Sequence, residues 1–174
     1  MSADEFTYRN ADESDAEALV ILINRAFEVE GSFFTSERID LAETIEHFKK
    51  GTFILAEGEG TMAGCNYVEL RAESGYFGLL SIDPKYQGRG LGRKLIEQAE
   101  DFCRRVGCST MQIRVLNHRT ALPPFYEKLG YTTANPEWVA RDEARALVYK
   151  NVRYGTIYYW GIDSVNGPTG NLGP

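Results

Sequence analysis

The residues whose types and spacing could do chemistry gather in Ile82-Asp-Pro-Lys-Tyr-Gln-Gly-Arg-Gly-Leu-Gly-Arg-Lys94. The apolar run before it, Gly75–Ile82, reads as a strand. The stripe after it, Leu91, Leu95, Ala99, Phe102 and Val106, reads as an amphipathic helix from about Gly90. A glycine-rich turn between strand and helix exposes backbone N–H groups at the positive end of the helix, which suits a phosphate. Lys85, Arg89, Arg93 and Lys94 set four cations against Asp83 alone within the turn. Two nucleotide motifs fail on these residues. GxGxxG from Gly88 would need glycine where Arg93 stands, and from Gly90 where Leu95 stands. GxxxxGK[ST] fails because Lys94 follows Arg93 and precedes Leu95.

That basic turn runs against the charge of the whole chain. The 174 residues hold 19 Lys and Arg against 25 Asp and Glu, a formal net charge of −6. Such a balance excludes a general nucleic-acid binder, which works by neutralising phosphates. The length suits one domain that can bury its own core. Cys65, Cys103 and Cys108 include no CxxC pair, so neither a disulfide framework nor a zinc spacing is present. They read as buried free thiols in a reducing compartment. The longest apolar run, Ala18–Ile23, is far short of the ~20 residues that span a bilayer. The acidic N-terminus lacks the basic region of a secretory signal. The expectation is a cytoplasmic protein with no metal and no membrane.

The elements that must position the turn follow from periodicity. Phe6–Arg9 alternates as a first strand. Ser14 with Glu17 makes a capping box for a helix to about Phe27, with Ala16, Leu19, Ile23 and Ala26 on one face. Ser36 can cap a second helix to Lys50, with Leu41, Ile45 and Phe48 at helical spacing and Gly51 as its stop. Thr52–Glu57, Met62–Leu70 and Gly75–Ile82 are strands, the last apolar enough to be central. Met111–Val115 alternates as another. Leu122-Pro-Pro suits a helix's first turn, so Pro124–Leu129 is a short helix stopped by Gly130. Tyr131–Ala134 and Tyr154–Trp160 complete the strands; Asn135–Asn151 gives no clear pattern. The fold class is α/β, a mixed and mostly antiparallel sheet flanked by helices, in the order β-α-α-β-β-β-α-β-α-β-β. Residues 1–162 form one domain, and the Gly/Pro-rich tail 163–174 is expected to be disordered.

Gln87-x-x-Gly90-x-Gly92 resembles the Q/RxxGxG/A pyrophosphate loop of the GNAT superfamily of N-acetyltransferases. The segment from Asn117 to Phe125-Tyr-Glu-Lys-Leu-Gly-Tyr131 resembles that family's N…FYEKLGF segment. Arg9-Asn-Ala-Asp resembles its usual opening. The likeness covers roughly residues 6–134. One departure stands out: Asn117 lies nine residues before Tyr126, where many members have seven.

The resemblance implies acetyl-CoA between the strand 76–82 and the strand 109–116. Leu80, Ser81 and Ile82 would pair with its pantetheine arm. The amides of Gly88, Arg89, Gly90, Leu91, Gly92 and Arg93 would hold its pyrophosphate, with Gln87 shaping the loop. Asn117 and Arg119 would contact the cofactor, although the longer loop puts Asn117 in doubt. Tyr126 would be the acid toward the departing thiolate. In this family the segment between the first two helices lines the acceptor site; here Glu28, Glu30 and Phe33 suit a cationic amine. The residues alone offer Glu69 as first candidate for the base, since it shares a face with Cys65 and Tyr67 and apolar neighbours invite a raised pKa. Glu73, Tyr76 and a water relay are alternatives. His47, on a charged helix end, should face solvent; His118 could contact CoA. The implied function is acetyl transfer to a small-molecule amine. The alternatives are a protein or peptide N-terminal or lysine acetyltransferase, a CoA-binding module without catalysis, and an interaction domain using Tyr154–Trp160, which could also be a homodimer seam.

Overall fold

The computed structural model of the chain describes residues 5–28, 38–72, 74–116, 122–133 and 154–161. Its elements are β1 (Thr7–Asn10), α1 (Ala16–Glu28), α2 (Leu41–Lys50), β2 (Gly51–Gly58), β3 (Thr61–Arg71), β4 (Ser74–Ile82), α3 (Leu91–Arg105), β5 (Thr110–Leu116), α4 (Leu122–Lys128), β6 (Thr132–Thr133) and β7 (Tyr154–Gly161). The described strands form one sheet in the order β1-β2-β3-β4-β5-β7-β6. Only β4 and β5 run parallel among the described strands; the other neighbours are antiparallel. The expected element order and the mixed, mostly antiparallel sheet are both present.

Alternation along β2 and β3 splits the core between the two faces. Phe53, Leu55, Cys65 and Tyr67 pack against Leu19, Ile23 and Ile39 on the α1 and α2 side. Ile54, Ala56 and Val68 face the other way, against Leu91, Leu95, Ala99 and Cys103 of α3. All three cysteines are buried free thiols. No helix among the described residues is long and apolar enough to cross a membrane.

Local chemistry moved several boundaries. Asp12, not Ser14, caps the first helical turn, accepting from Ser14 N while Asp15 returns to the Asp12 N–H. A carboxylate accepts backbone N–H groups more strongly than a hydroxyl and suits the positive helix end. Asp40 and Glu43 form the capping box of α2; Ser36 lies outside the described residues. With the later start, Leu41 is 46% exposed, and only Thr44 of α2 is buried. Val106 also leaves its predicted stripe: it is the C-cap of α3 and 51% exposed. The helix α4 begins at Leu122, so both prolines occupy its first turn. The segment 135–151 and the tail 163–174 lie outside the described residues.

Candidate active site

The site begins where two strands part. β4 pairs with β5 only from Ser74–Phe77 against Thr110–Ile113. From Gly78 onward β4 has no paired neighbour on that side among the described residues, so its edge faces a wedge between the strands. On its other side, β4 carries an extra residue. Cys65 pairs with Ser81 and Tyr67 with Gly78, so two steps on β3 oppose three on β4. This is a bulge, and Leu79 takes the left-handed conformation (φ 50°) to make it. A left-handed leucine is costly, of order 1–3 kcal/mol, and needs neighbours that fix it. Ser81 Oγ donates to the Leu79 carbonyl at 3.0 Å, and Cys65 Sγ to the same oxygen at 3.8 Å. Opposite the bulge, buried Asn66 donates to Leu95 O at 3.3 Å, tying β3 to α3.

The glycine turn follows directly. Asp83 N–H donates to Ala63 O, and the Asp83 side chain accepts from Lys85 N. Tyr86 is 2% exposed and packs edge-on against Phe6. Gln87 Nε2 donates back to Ile82 O at 3.3 Å, which ties the turn to the end of β4. Gly88 and Gly90 have φ of 75° and 80°, where a side chain would be strained. Gly90 is the N-cap of α3 and gives it no side-chain cap. The first-turn amides of this fifteen-residue helix therefore present unsatisfied donors.

Gly92 tests whether an anion fits there. It lies inside α3, and a Cβ there would meet only Ile82 and Leu80 side chains at 3.9 and 4.0 Å, an ordinary contact. Neither crowding nor backbone angle requires glycine, and alanine is the better helix former by up to about 1 kcal/mol. A glycine here suits a site that a ligand's backbone-bound group must approach closely. Gly92→Ala is therefore expected to melt at the same or a higher temperature, yet to raise KM for acetyl-CoA about tenfold or more. Unchanged KM in a steady-state titration would remove Gly92 from the binding loop.

The four cations are less isolated than the turn alone suggests. Lys85 pairs with Glu59 at 3.1 Å, and Arg93 and Lys94 both reach Glu97, at 3.0 and 3.2 Å. Arg89 lies over the Tyr86 ring at 5.5 Å. Arg25 of α1 pairs with Asp83 at 3.0 Å. Exposed pairs of this kind are worth roughly 0–1 kcal/mol, so a phosphate can recruit the cations at small cost.

On the α1 and α2 side, Glu69 shares its face with Cys65 and Tyr67 as alternation predicts. Its environment is not the apolar one expected. Arg71 Nε donates to Glu69 Oε1 at 2.9 Å, and the Tyr67 hydroxyl to Oε2 at 3.2 Å. Burial pushes this carboxyl up, but the bonds and charge of Arg71 and the Tyr67 hydroxyl outweigh it, so its pKa falls below 4.5. The expected rise is thus reversed. The Arg71 guanidinium lies 3.8 Å from the centre of the Tyr76 ring, and Tyr76 pairs directly across from Glu69. His47 does not simply face solvent. It is half-buried, with its ring edge-on to Tyr67 at 4.6 Å. Cys65 is buried outright, which pushes its thiol up to about 12 and makes it a poor nucleophile.

Tyr126 stands on the α3 side, 3% exposed, with its ring 6.2 Å from Phe77, the last β4 residue paired with β5. Glu28 is exposed at the end of α1. Glu30, Phe33, Glu73, Asn117, His118 and Arg119 lie outside the described residues.

Residues 17–131 match the model of the acetyltransferase (GNAT) family. The chain belongs to the GNAT family. Over 152 residues, 86% of its length, it is 30% identical to an amino-acid acetyltransferase of Pseudomonas putida, of which it covers 32%. This GNAT chain spans about half the length of other curated relatives it matches. Its fold is that of the Escherichia coli ribosomal-protein-S18-alanine N-acetyltransferase (TM-score 0.72, 19% identity, 91% of this chain and 95% of that one). It is also that of a putative acetyltransferase, yncA, from Salmonella typhimurium, solved with its cofactor acetyl-CoA (TM-score 0.66, 22% identity, 95% and 99%).

Proposed function

We propose that this GNAT protein is an acetyl-CoA-dependent N-acetyltransferase that acts on a small-molecule primary amine by direct attack. The observation that carries the reading is the edge of β4 that has no strand partner among the described residues, running from the Leu79 bulge into the uncapped start of α3. Backbone groups of Leu80, Ser81 and Ile82 can pair with an extended amide-bearing arm along that edge. The amides from Gly88 to Arg93 can hold a pyrophosphate, and Gly92 leaves room for it. Bound acetyl-CoA supplies the activated acyl group; the chain binds it, orients it and manages protons.

Two protons must move. An alkylammonium (pKa ~10.4) loses its proton to water at pH 7 for about 4.6 kcal/mol. The bonds and charge of Arg71 and the bond from the Tyr67 hydroxyl hold the Glu69 carboxyl below its ordinary value, which makes it a weaker proton acceptor than an unperturbed carboxylate. Glu69 is therefore read as a fixed negative charge that draws and orients the ammonium, while solvent takes the proton. Glu69→Gln is expected to raise KM for the amine about tenfold and to change kcat less than about threefold. A roughly hundredfold or greater fall in turnover with KM unchanged would restore Glu69 as the base.

At the leaving group, a phenol (~10) is a weaker acid than a thiol (~8.5), so full transfer from Tyr126 is uphill by about 2 kcal/mol. Tyr126 is read as donating a hydrogen bond to the developing thiolate. The 30% identical relative is an amino-acid acetyltransferase, which supports a small amine as acceptor. The deciding experiment follows free thiol from acetyl-CoA with amino acids, alkylamines, polyamines and peptides. Release with a small amine is expected. Release with peptides alone would move the acceptor to a protein, and binding of CoA with no release would leave a CoA-binding module.

A further inference from the structure

Beside Tyr126 the fold holds a buried phenol paired with a half-buried carboxyl, a pair that the chemistry above does not use. Tyr131 is 1% exposed, and its hydroxyl donates to Glu100 Oε1 at 2.7 Å. Glu100 stands on α3, one position from the buried Ala99. Burial pushes its carboxyl up to about 6, against the hydrogen bond from Tyr131 and the charge of Arg104, while Glu97 and Asp101 add to the rise. Burial also pushes the Tyr131 phenol up. Polar pairs of this kind seldom stabilise a core more than apolar residues of the same size. A phenylalanine in place of Tyr131 would fill the space without the hydroxyl. The pair therefore calls for a purpose beyond packing.

Its contacts point to one. The Tyr131 ring meets the Tyr126 ring edge-on at 5.9 Å, and both meet Phe77. The Tyr131 N–H donates to the Tyr126 carbonyl at 3.0 Å. A hydroxyl anchored on α3 thus fixes the ring that flanks Tyr126 and the backbone that carries it. We propose that Glu100 and Tyr131 are positioning residues for Tyr126, locking the α4 tyrosine to the helix that follows the glycine turn. The proposal rests on the reading of Tyr126 as donor to the leaving sulfur.

The test uses Tyr131→Phe, Glu100→Leu and Glu100→Gln, each alone and combined with Tyr126→Phe. The readouts are kcat and KM for acetyl-CoA with the fastest amine of the panel. A misplaced donor should cost about tenfold in kcat, with KM for acetyl-CoA within about twofold, in Tyr131→Phe and Glu100→Leu. Glu100→Gln keeps an acceptor oxygen and should retain most of kcat. In the Tyr126→Phe background the same changes should cost nothing further. Independently, the ¹³Cζ resonance of Tyr126 in the protein without acetyl-CoA should move in Tyr131→Phe and stay in place in Glu100→Gln. Should Glu100→Leu fail to fold, Tyr131→Phe, which removes a single oxygen, carries the test. An unmoved resonance with unchanged kcat overturns the proposal, as does an equal loss in the Tyr126→Phe background. Full activity of Tyr126→Phe alone would sink the donor reading instead, and the resonance would still report on the positioning.

Discussion

Tyr126→Phe is expected to lower kcat about 10²–10³-fold while leaving acetyl-CoA affinity within about twofold, the loss typical of removing one preorganised donor to a developing anion. The hydroxyl is the only atom lost, and the ring keeps its contacts with Phe77, Phe125 and Tyr131. The fold should therefore survive, and a thermal melt checks that. Calorimetric titration with CoA separates binding from chemistry, since the donor matters most when charge builds on sulfur. The magnitude also decides between two roles. A packing tyrosine 3% exposed would show its loss in the melt and not in kcat. If kcat stays within about threefold, Tyr126 belongs to the core alone, and proton delivery to the thiolate must come from water.

The parts of this site that are legible in the sequence are those held by local backbone chemistry. Gly88 and Gly90 announce positive φ, Gln87 reaches only five residues back, and the α3 stripe has a clean period. The bulge is not legible, because a left-handed leucine has no signature in the chain. Leu79 is held there by Ser81 and by Cys65 from the neighbouring strand, a tertiary fact. The pairing of Glu69 does have a signature, which an eye on apolar neighbours passes over. Arg71 is two residues on, so strand alternation puts it on the same face, within reach of the carboxylate. The burial of His47 has none, since it depends on how α2 lies over Tyr67. Glu100 falls between these cases. It sits four residues after buried Ile96 and three before buried Cys103, which marks it as flanking the core face, but its partner comes from 31 residues away.

The charge of the chain also acquires a more particular meaning. Within the turn the cations outnumber the acids, and with Glu59, Glu97 and the Arg25–Asp83 pair included the rim still sets Lys85, Arg89, Arg93, Lys94 and Arg25 against three carboxylates. Paired and exposed, these cations are held in ordered positions without being buried. Among the described residues the first-turn amides of α3 have no side-chain cap, so the fixed dipole there should set affinity, while the side chains tune salt dependence.

Gly75→Ala should cost stability by overpacking the contact between α3 and the paired part of β4 and β5. A Cβ there would stand 2.3 Å from Cys103 Sγ and 2.7 Å from Met111 Sδ. Both side chains are fully buried, so neither can swing into open space. Overpacking of this kind costs about 1–3 kcal/mol, occasionally more, which at this chain length lowers the melting temperature about 2–4 °C for each kcal/mol. The position also matters for function. Gly75 pairs with Met111 in the four-residue parallel ladder that joins β4 to β5 just before they part. Forcing α3 away from β4 there, or β5 away from β4, changes the width of the wedge and the placing of the glycine turn at the head of α3. The variant should therefore lose acetyl-CoA affinity as well as stability. Cys103→Ala removes the nearer sulfur, and the double variant should recover part of both losses, a coupling of order 0.5–3 kcal/mol for residues in contact. Additive losses in the double-mutant cycle would show that the strain is relieved elsewhere, and that the spacing of α3 over β4 does not set the wedge.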